Sequence, residues 1–342
     1  MDLNFENVIN AVIAIVIGVG ALIIYFFGSN WLLDNIFRDV VREDGHVEKS
    51  RESIREAIRP WLFVGPAIIL LGLYLVYPAI QTVILSFFDE NGNEFVGLRN
   101  YQWAINDGEF RQAVTNNILW LVIVPAASTA IGLLVAVLAD RVRWGNIAKS
   151  LVFTPMAISF VGASVIWKFV YDYRGPNNPQ IGVLNGIVQA LGGEPQAWIT
   201  ITPFLNSFLL MIILIWIQTG FAMVVLSAAL RGVPEETLEA ARIDGANEIR
   251  IFFNIMVPQI MGTILVVWTT ITITVLKVFD IVLAMTNGQW DTEVLANYMY
   301  DWMFRGGGDF GRGSAIASVI MIAVIPILIW NVRRFQQEEA MR

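Results

Sequence analysis

Long apolar runs alternate with shorter polar and charged stretches along the chain. The apolar runs cover residues 8–28, 61–88, 118–139, 151–171, 204–230, 260–285 and 315–330. About 20 apolar residues in a helix cross the hydrocarbon core of a bilayer. The pattern therefore predicts an all-α, polytopic membrane protein with seven spans. The first run carries no charge. The fourth carries Lys168 near its end, and the sixth carries Lys277 and Asp280. Run 8–28 does not read as a signal peptide, because residues 1–10 hold Asp2 and Glu6 and no Lys or Arg. It is expected to be a retained helix.

Lys and Arg set the orientation. With the N-terminus outside, the inner segments 29–60, 140–150, 231–259 and 331–342 hold 6, 3, 3 and 3 of them. The outer segments 1–7, 89–117, 172–203 and 286–314 hold 0, 2, 1 and 2. Fifteen against five predicts N-out and C-in. Segment 29–60 is a cytoplasmic connector with six basic and seven acidic residues. Its run "EKSRESIREAIRP" pairs Glu48 with Arg51 and Glu52 with Arg55 at helical spacing, which predicts a solvated helix leading to Pro60. The outer stretches "RGPNNPQ" and "GGEP" are turn-rich.

Composition agrees with the membrane reading. The 342 residues are 56% hydrophobic and 15% charged, against about a quarter charged in soluble domains. Mean hydropathy is +0.62. A net charge of −7 gives no basic face for nucleic acid. With no cysteine and a single histidine, His46, the residues predict no metal site, no cofactor and no catalytic dyad. "GNIAKS" at 145–150 lacks the second glycine of a nucleotide-binding loop, so any ATP chemistry belongs to another chain.

One stretch breaks the apolar rhythm. Seven of the sixteen residues at 235–250 are charged. Pro234 suits a first helical turn, and Glu235, Glu236 and Glu239 complement the positive end of the helix. Ala240 and Ala241 favour helix. Gly245 then ends it in the left-handed conformation. A second helix from Ala246 to about Met256 leads to Pro258 and the next run. This shape fits a cleft on another protein, and it is also one that an ordinary structured loop could take.

The spacing adds to this. "EAA" at 239–241, three residues, Gly245, nine residues, then Ile255 and "VP" at 257–258 resembles the EAA loop of binding-protein-dependent ABC transporter permeases, with Val257 in a leucine position. The resemblance covers about residues 60–342. It is closest to the carbohydrate, maltose-type branch, through "RPWLFVGPAIILLGLYLVYPAIQTVILSF" at 59–87 and "FDIVLAMTNG" at 279–288. The extra first helix and connector, residues 1–59, resemble the alpha-glucoside and glucosylglycerol subgroup. The resemblance implies a six-helix type I importer core plus one added helix, in the inner membrane of a prokaryote. It implies two ABC ATPase subunits, a second and different permease subunit, and an external solute-binding protein. Glu239, Ala240, Ala241, Asp244, Gly245 and Pro258 are then the ATPase-coupling residues.

An ionisable residue inside a span is costly and marks a functional candidate. Lys277 and Asp280, three apart, are expected to share a helix face and pair. They either fix the helix or line the substrate pathway, and as a relay they would suit an ion-coupled transporter working alone. Gln218 and, by the resemblance, Gly220 are further pathway candidates. Val275 and Val278 stand where amides are expected, which argues against maltodextrin. Lys168 is expected to snorkel. Trp290, Tyr298, Tyr300 and Trp302 suit an interfacial aromatic belt, with sugar stacking as the alternative.

Overall fold

The computed structural model describes residues 5–37, 40–41, 47–49, 51–201, 204–306 and 308–340. His46 lies outside them. The described residues form two compact units, Met1–Gln81 and Thr82–Arg342.

In the first unit, α1 (Phe5–Ile36) is followed by a small antiparallel pair, β1 (Val40–Val41) and β2 (Val47–Lys49). The second helix, α2 (Glu52–Leu71), packs on α1. Arg59 reaches Asp34 at 2.9 Å and Asn30 at 3.2 Å, and Phe26 stacks on Phe63. The predicted connector helix does not stop at Pro60. Both Pro60 and Pro66 lie inside α2. A helical proline leaves the carbonyl four residues earlier without its donor. For Pro66 that is the carbonyl of Leu62, and the Tyr25 hydroxyl donates to it at 3.1 Å. A π-helical turn at Gly72–Val76 then leads into α3 (Tyr77–Leu85).

The second unit continues with α4 (Arg99–Asn106), α5 (Gly108–Asp140), α6 (Gly145–Phe153), α7 (Phe160–Val170), α8 (Val183–Ala190) and α9 (Leu205–Arg231). Then come α10 (Glu235–Ile243), α11 (Glu248–Ile251), α12 (Val257–Gln259), α13 (Met261–Leu276), α14 (Asp280–Met285), α15 (Leu295–Tyr300) and α16 (Phe310–Ala340). The core is built around α9, which buries Leu210, Met211, Ile213, Leu214, Met223 and Leu226 almost completely. Helix α5 lies along it. At their crossing, a Cβ added to Gly132 would meet Ala222 Cβ at 2.5 Å, so small residues let the two backbones approach.

Five described helices are long and apolar enough to cross a membrane: Val8–Ile36, Glu52–Leu85, Gly108–Asp140, Leu205–Arg231 and Phe310–Ile327. The other two predicted runs are not straight helices. Run 151–171 is bent by 107° between Gly145–Ala157 and Phe160–Val170. The break follows the 3-10 turn at Thr154–Ala157, which contains Pro155, and Ser159 Oγ caps the new helix by accepting from Gly162 N–H at 3.0 Å. The segments Glu248–Gln259 and Met261–Leu276 are bent by 71°.

Candidate functional site

The loop at 231–259 folds as its residues predict. Pro234 precedes α10, and Gly245 takes φ +83°. Ala246 N–H bonds Ala241 O at 3.0 Å and Gly245 N–H bonds Arg242 O at 3.1 Å, which is the Schellman pattern that satisfies the last carbonyls of a helix. The next helix, α11, is capped by Asn247, whose side chain accepts from Arg250 N–H at 2.8 Å. It widens into a π-turn at Phe252–Met256 before Pro258. The other π-turn of this kind, Gly72–Val76, stands at the same distance before Pro78. A proline cannot donate to the carbonyl four residues back, so a one-residue register shift ahead of it relieves the ladder. Pro258 therefore shapes the exit from the loop.

Of the predicted coupling residues, Glu239, Ala240, Asp244, Gly245 and Pro258 are exposed, while Ala241 is buried. Two further features of the loop are absent from the sequence expectation. Ile243 and Ile249 are 86% and 70% exposed beside the glycine turn. Glu248 accepts from Arg242 at 3.1 Å and from Arg141, after the end of α5, at 2.8 Å. Hydrogen bonding from Arg242, helped by both guanidinium charges, holds its carboxyl below the usual range. Glu248 thereby ties α10 to the end of α5. Isoleucines inside a charged loop were the available signal for the first pair. The Arg141 contact spans 107 residues and left no local signal.

Lys277 and Asp280 are brought together, but not as predicted. Helix α13 ends at Leu276 and α14 starts at Asp280, so the two do not share one helix face, and no ion pair joins them in the structure. The break suits both charges: a cation sits at the C-terminal end of α13 and an anion in the first turn of α14. Both open into one cavity of about 340 Å³ with Phe160, Leu214, Thr274 and Phe279. Gln218 is half-buried on α9, four residues from Leu214 and so on the same face. Gly220 is placed differently. A Cβ there would meet Val152 O at 2.7 Å and Phe153 Cα at 3.0 Å, so the glycine is a close-packing contact between α9 and α6.

The segment 286–314 is held by buried asparagines. Asn116 donates to the carbonyls of Asp291 and Glu293, and Asn206 to that of Trp290. Asn117 accepts from Leu295 N–H. Three of the four predicted belt aromatics pack within the protein. Tyr298 is buried and donates to Asp107 at 2.8 Å. Tyr300 contacts Phe279 and Phe304, while Trp302 and Trp103 flank the Arg312 guanidinium at 4.8 Å each. Trp290 is 44% exposed.

Burial pushes the Glu293 carboxyl up to about 7, against the opposing hydrogen bonds from Val294 N–H and Asn297; the Asp301 and Glu109 charges raise it further. Its folded pKa lies above the ordinary 4.5, so the native state holds the extra proton between those values. Stability is then full below pH 4.5 and declines as pH rises toward 7, by at most about 1.4 kcal/mol per unit. Glu293→Gln is expected to flatten that decline. Melting temperatures of the purified transporter between pH 4.5 and 8 test it; a variant that loses stability as steeply as the parent contradicts it.

The fold is thus a helical bundle with an exposed glycine-capped loop and a cavity bordered by Lys277 and Asp280. The chain belongs to the family described as Binding-protein-dependent transport system inner membrane component, which residues 105–337 match. It is a transport permease rather than an enzyme. It is 65% identical over 333 residues to the Alpha-glucoside transport system permease protein AglF of Rhizobium meliloti (strain 1021), covering 97% of this chain and 98% of that protein. It is 52% identical to the Osmoprotective compounds uptake permease protein GgtC of Synechocystis, covering 82% of this chain and all of that one. The fold matches a chain in the crystal structure of a bacterial ABC transporter that imports the acidic polysaccharide alginate, with TM-score 0.71, 20% identity, and coverage of 84% and 99%.

Proposed function

We propose that this chain is one of two different transmembrane subunits of an inner-membrane importer for an α-glucoside. The identity to AglF across nearly the whole of both chains carries that sugar class. In this reading the chain crosses the membrane seven times, N-out and C-in, with residues 1–59 as an added helix and connector and residues 60–342 as the permease domain. An external solute-binding protein delivers the sugar. Two ABC ATPase subunits, which supply the nucleotide chemistry this chain lacks, seat on Glu239, Ala240, Asp244 and Gly245, with Ala241 and Pro258 setting the loop's shape. ATP-driven closure favours one of two bundle states.

The sugar passes through the Lys277/Asp280 cavity, with Gln218 as a further polar contact. Supporting this, the cavity opens where the span breaks, so its polar groups face space rather than a helix neighbour. Lys277→Ala and Asp280→Ala are each expected to lower α-glucoside uptake about tenfold or more, as lost charged hydrogen bonds imply. ATPase stimulation by loaded binding protein should persist. Full uptake in both variants would sink the pathway assignment.

A second reading is uptake of an osmoprotective polar solute, favoured by the 52% identity to GgtC. Competition of labelled sucrose uptake by glucosylglycerol separates the two. Uptake driven by an ion gradient without ATP would instead favour a transporter working alone.

A further inference from the structure

We propose that the pocket framed by Lys168, Trp198 and Trp290 is an outer glycoside subsite, which receives one pyranose ring before the sugar reaches the Lys277/Asp280 cavity. This rests on the sugar-import reading above.

The pocket encloses about 320 Å³ and is lined by Lys168, Tyr171, Asp172, Tyr173, Trp198 and Trp290 among others. That volume falls within the range of small-ligand clefts, about 300–1,000 Å³. The lining combines two indoles, a cation, a carboxylate and two phenols. A pyranose presents the complementary surfaces: a C–H face that stacks on an aromatic ring, and a rim of hydroxyls that both donate and accept. Lys168 donates to such hydroxyls, and Asp172, which shares its carboxylate with Arg174 at 3.3 Å, accepts from them.

Buried amides hold the Trp198 indole and the backbone that carries Trp290. Trp198 Nε1 donates to Asn185 Oδ1 at 2.9 Å. The same oxygen accepts from Gln196 N–H, and the Asn185 amide donates to the carbonyls of Asp172 and Gln196. Asn185 is fully buried and uses its whole hydrogen-bonding capacity in fixing this wall. On the other side, Trp290 takes φ +55° and Asp291 φ +62°. Bulky residues resist this conformation. It persists where surroundings over-determine it, and such strain concentrates at ligand clamps. Here Asn206 and Asn116 hold the carbonyls of Trp290 and Asp291.

The pocket also has a position relative to the inner cavity. Helices α7 and α14 pack together. Phe160 and Asp280, at one end of this pair, border the inner cavity; Lys168 and Met285, at the other, border the outer pocket. Eight helical residues separate Phe160 from Lys168, roughly 12 Å. The two pockets are thus successive stations along one helix pair. In this arrangement Lys168 is more than a snorkelling anchor, and Trp290 more than a belt residue.

The test uses the complete transporter in proteoliposomes, with both permeases, the ATPases and the binding protein. Labelled maltose, sucrose and trehalose are the probes, and rates are normalised to incorporated transporter. Trp290→Ala is expected to raise the half-saturating sugar concentration about tenfold with little change in maximal rate. Trp290→Phe, which keeps a ring, should recover most of that loss. Lys168→Ala, at an exposed position, should shift the same parameter in the same direction and answers for any variant that fails to assemble. Unchanged half-saturation in Trp290→Ala and Lys168→Ala overturns the subsite while leaving sugar import standing. No uptake of any of the three sugars by the unmodified transporter overturns the sugar reading, and the subsite with it.

Discussion

Gly245→Val is expected to abolish ATP-coupled uptake while leaving the permease in the membrane. Gly245 sits at φ +83°, and a Cβ added there meets nothing within 4 Å. The defect is therefore in the backbone and not in a clash within the chain. An L-residue in this conformation is disfavoured by about 1–2 kcal/mol, and a β-branched one by more. Relief of that strain would unwind the Schellman bonds from Gly245 and Ala246. Glu239, Asp244 and Ile243 would then no longer be presented in one arrangement. A graded series follows. Gly245→Asn should be mildest, because asparagine tolerates the left-handed region; Gly245→Ala should be intermediate and Gly245→Val worst. Uptake and ATPase stimulation, measured at matched membrane abundance, give the order. An order that follows side-chain size instead, with alanine better than asparagine, would show that crowding against the ATPase and not loop conformation matters. Full uptake by the valine variant would remove the coupling role.

Gly220→Ile should act through assembly. Its side chain would have to enter the space now filled by Val152 O and Phe153 Cα, both backbone atoms that cannot swing aside. Overpacking of this kind costs about 1–3 kcal/mol and displaces one helix from another. The expected result is a lower melting temperature, less folded permease, and loss of uptake for every sugar alike. A variant with normal abundance and melting temperature but altered sugar preference would return Gly220 to the pathway. The contrast with Lys277→Ala is the useful part: one change should cut transport with the fold intact, the other the fold itself.

The helical class was legible because apolar length is a local property. Five of the seven predicted runs correspond to helices long and apolar enough to cross a membrane. The glycine-capped loop was legible for the same reason. Its cap depends on residues within one helical turn, and the Schellman bonds form where Gly245 predicted them. The EAA spacing, being a pattern along the chain, pointed to the family that residues 105–337 match.

Elsewhere, local reading misled. The connector helix is expected to lead to Pro60 and stop, yet it runs through Pro60 and on through Pro66 as α2. A tyrosine on another helix satisfies the carbonyl that Pro66 leaves open, and no window around Pro66 contains it. Hydropathy likewise treated residues 260–285 as one helix, since Val278 and Phe279 are as apolar as their neighbours. In the fold α13 packs on α5, α9 and α16, whereas α14 packs on α7 and α9.

The sequence alone determined that the chain is helical, that it is apolar enough for a membrane, and that it carries a charged loop with a left-handed glycine. Each follows from composition, periodicity or spacing within a few turns. Only the tertiary structure decided what the polar groups face. It set Lys277 and Asp280 into one cavity across a helix break, turned Gly220 into a packing contact, and drew Lys168, Trp198 and Trp290 into one pocket. Those outcomes depend on which backbones approach each other, and residues distant in sequence settle that through packing.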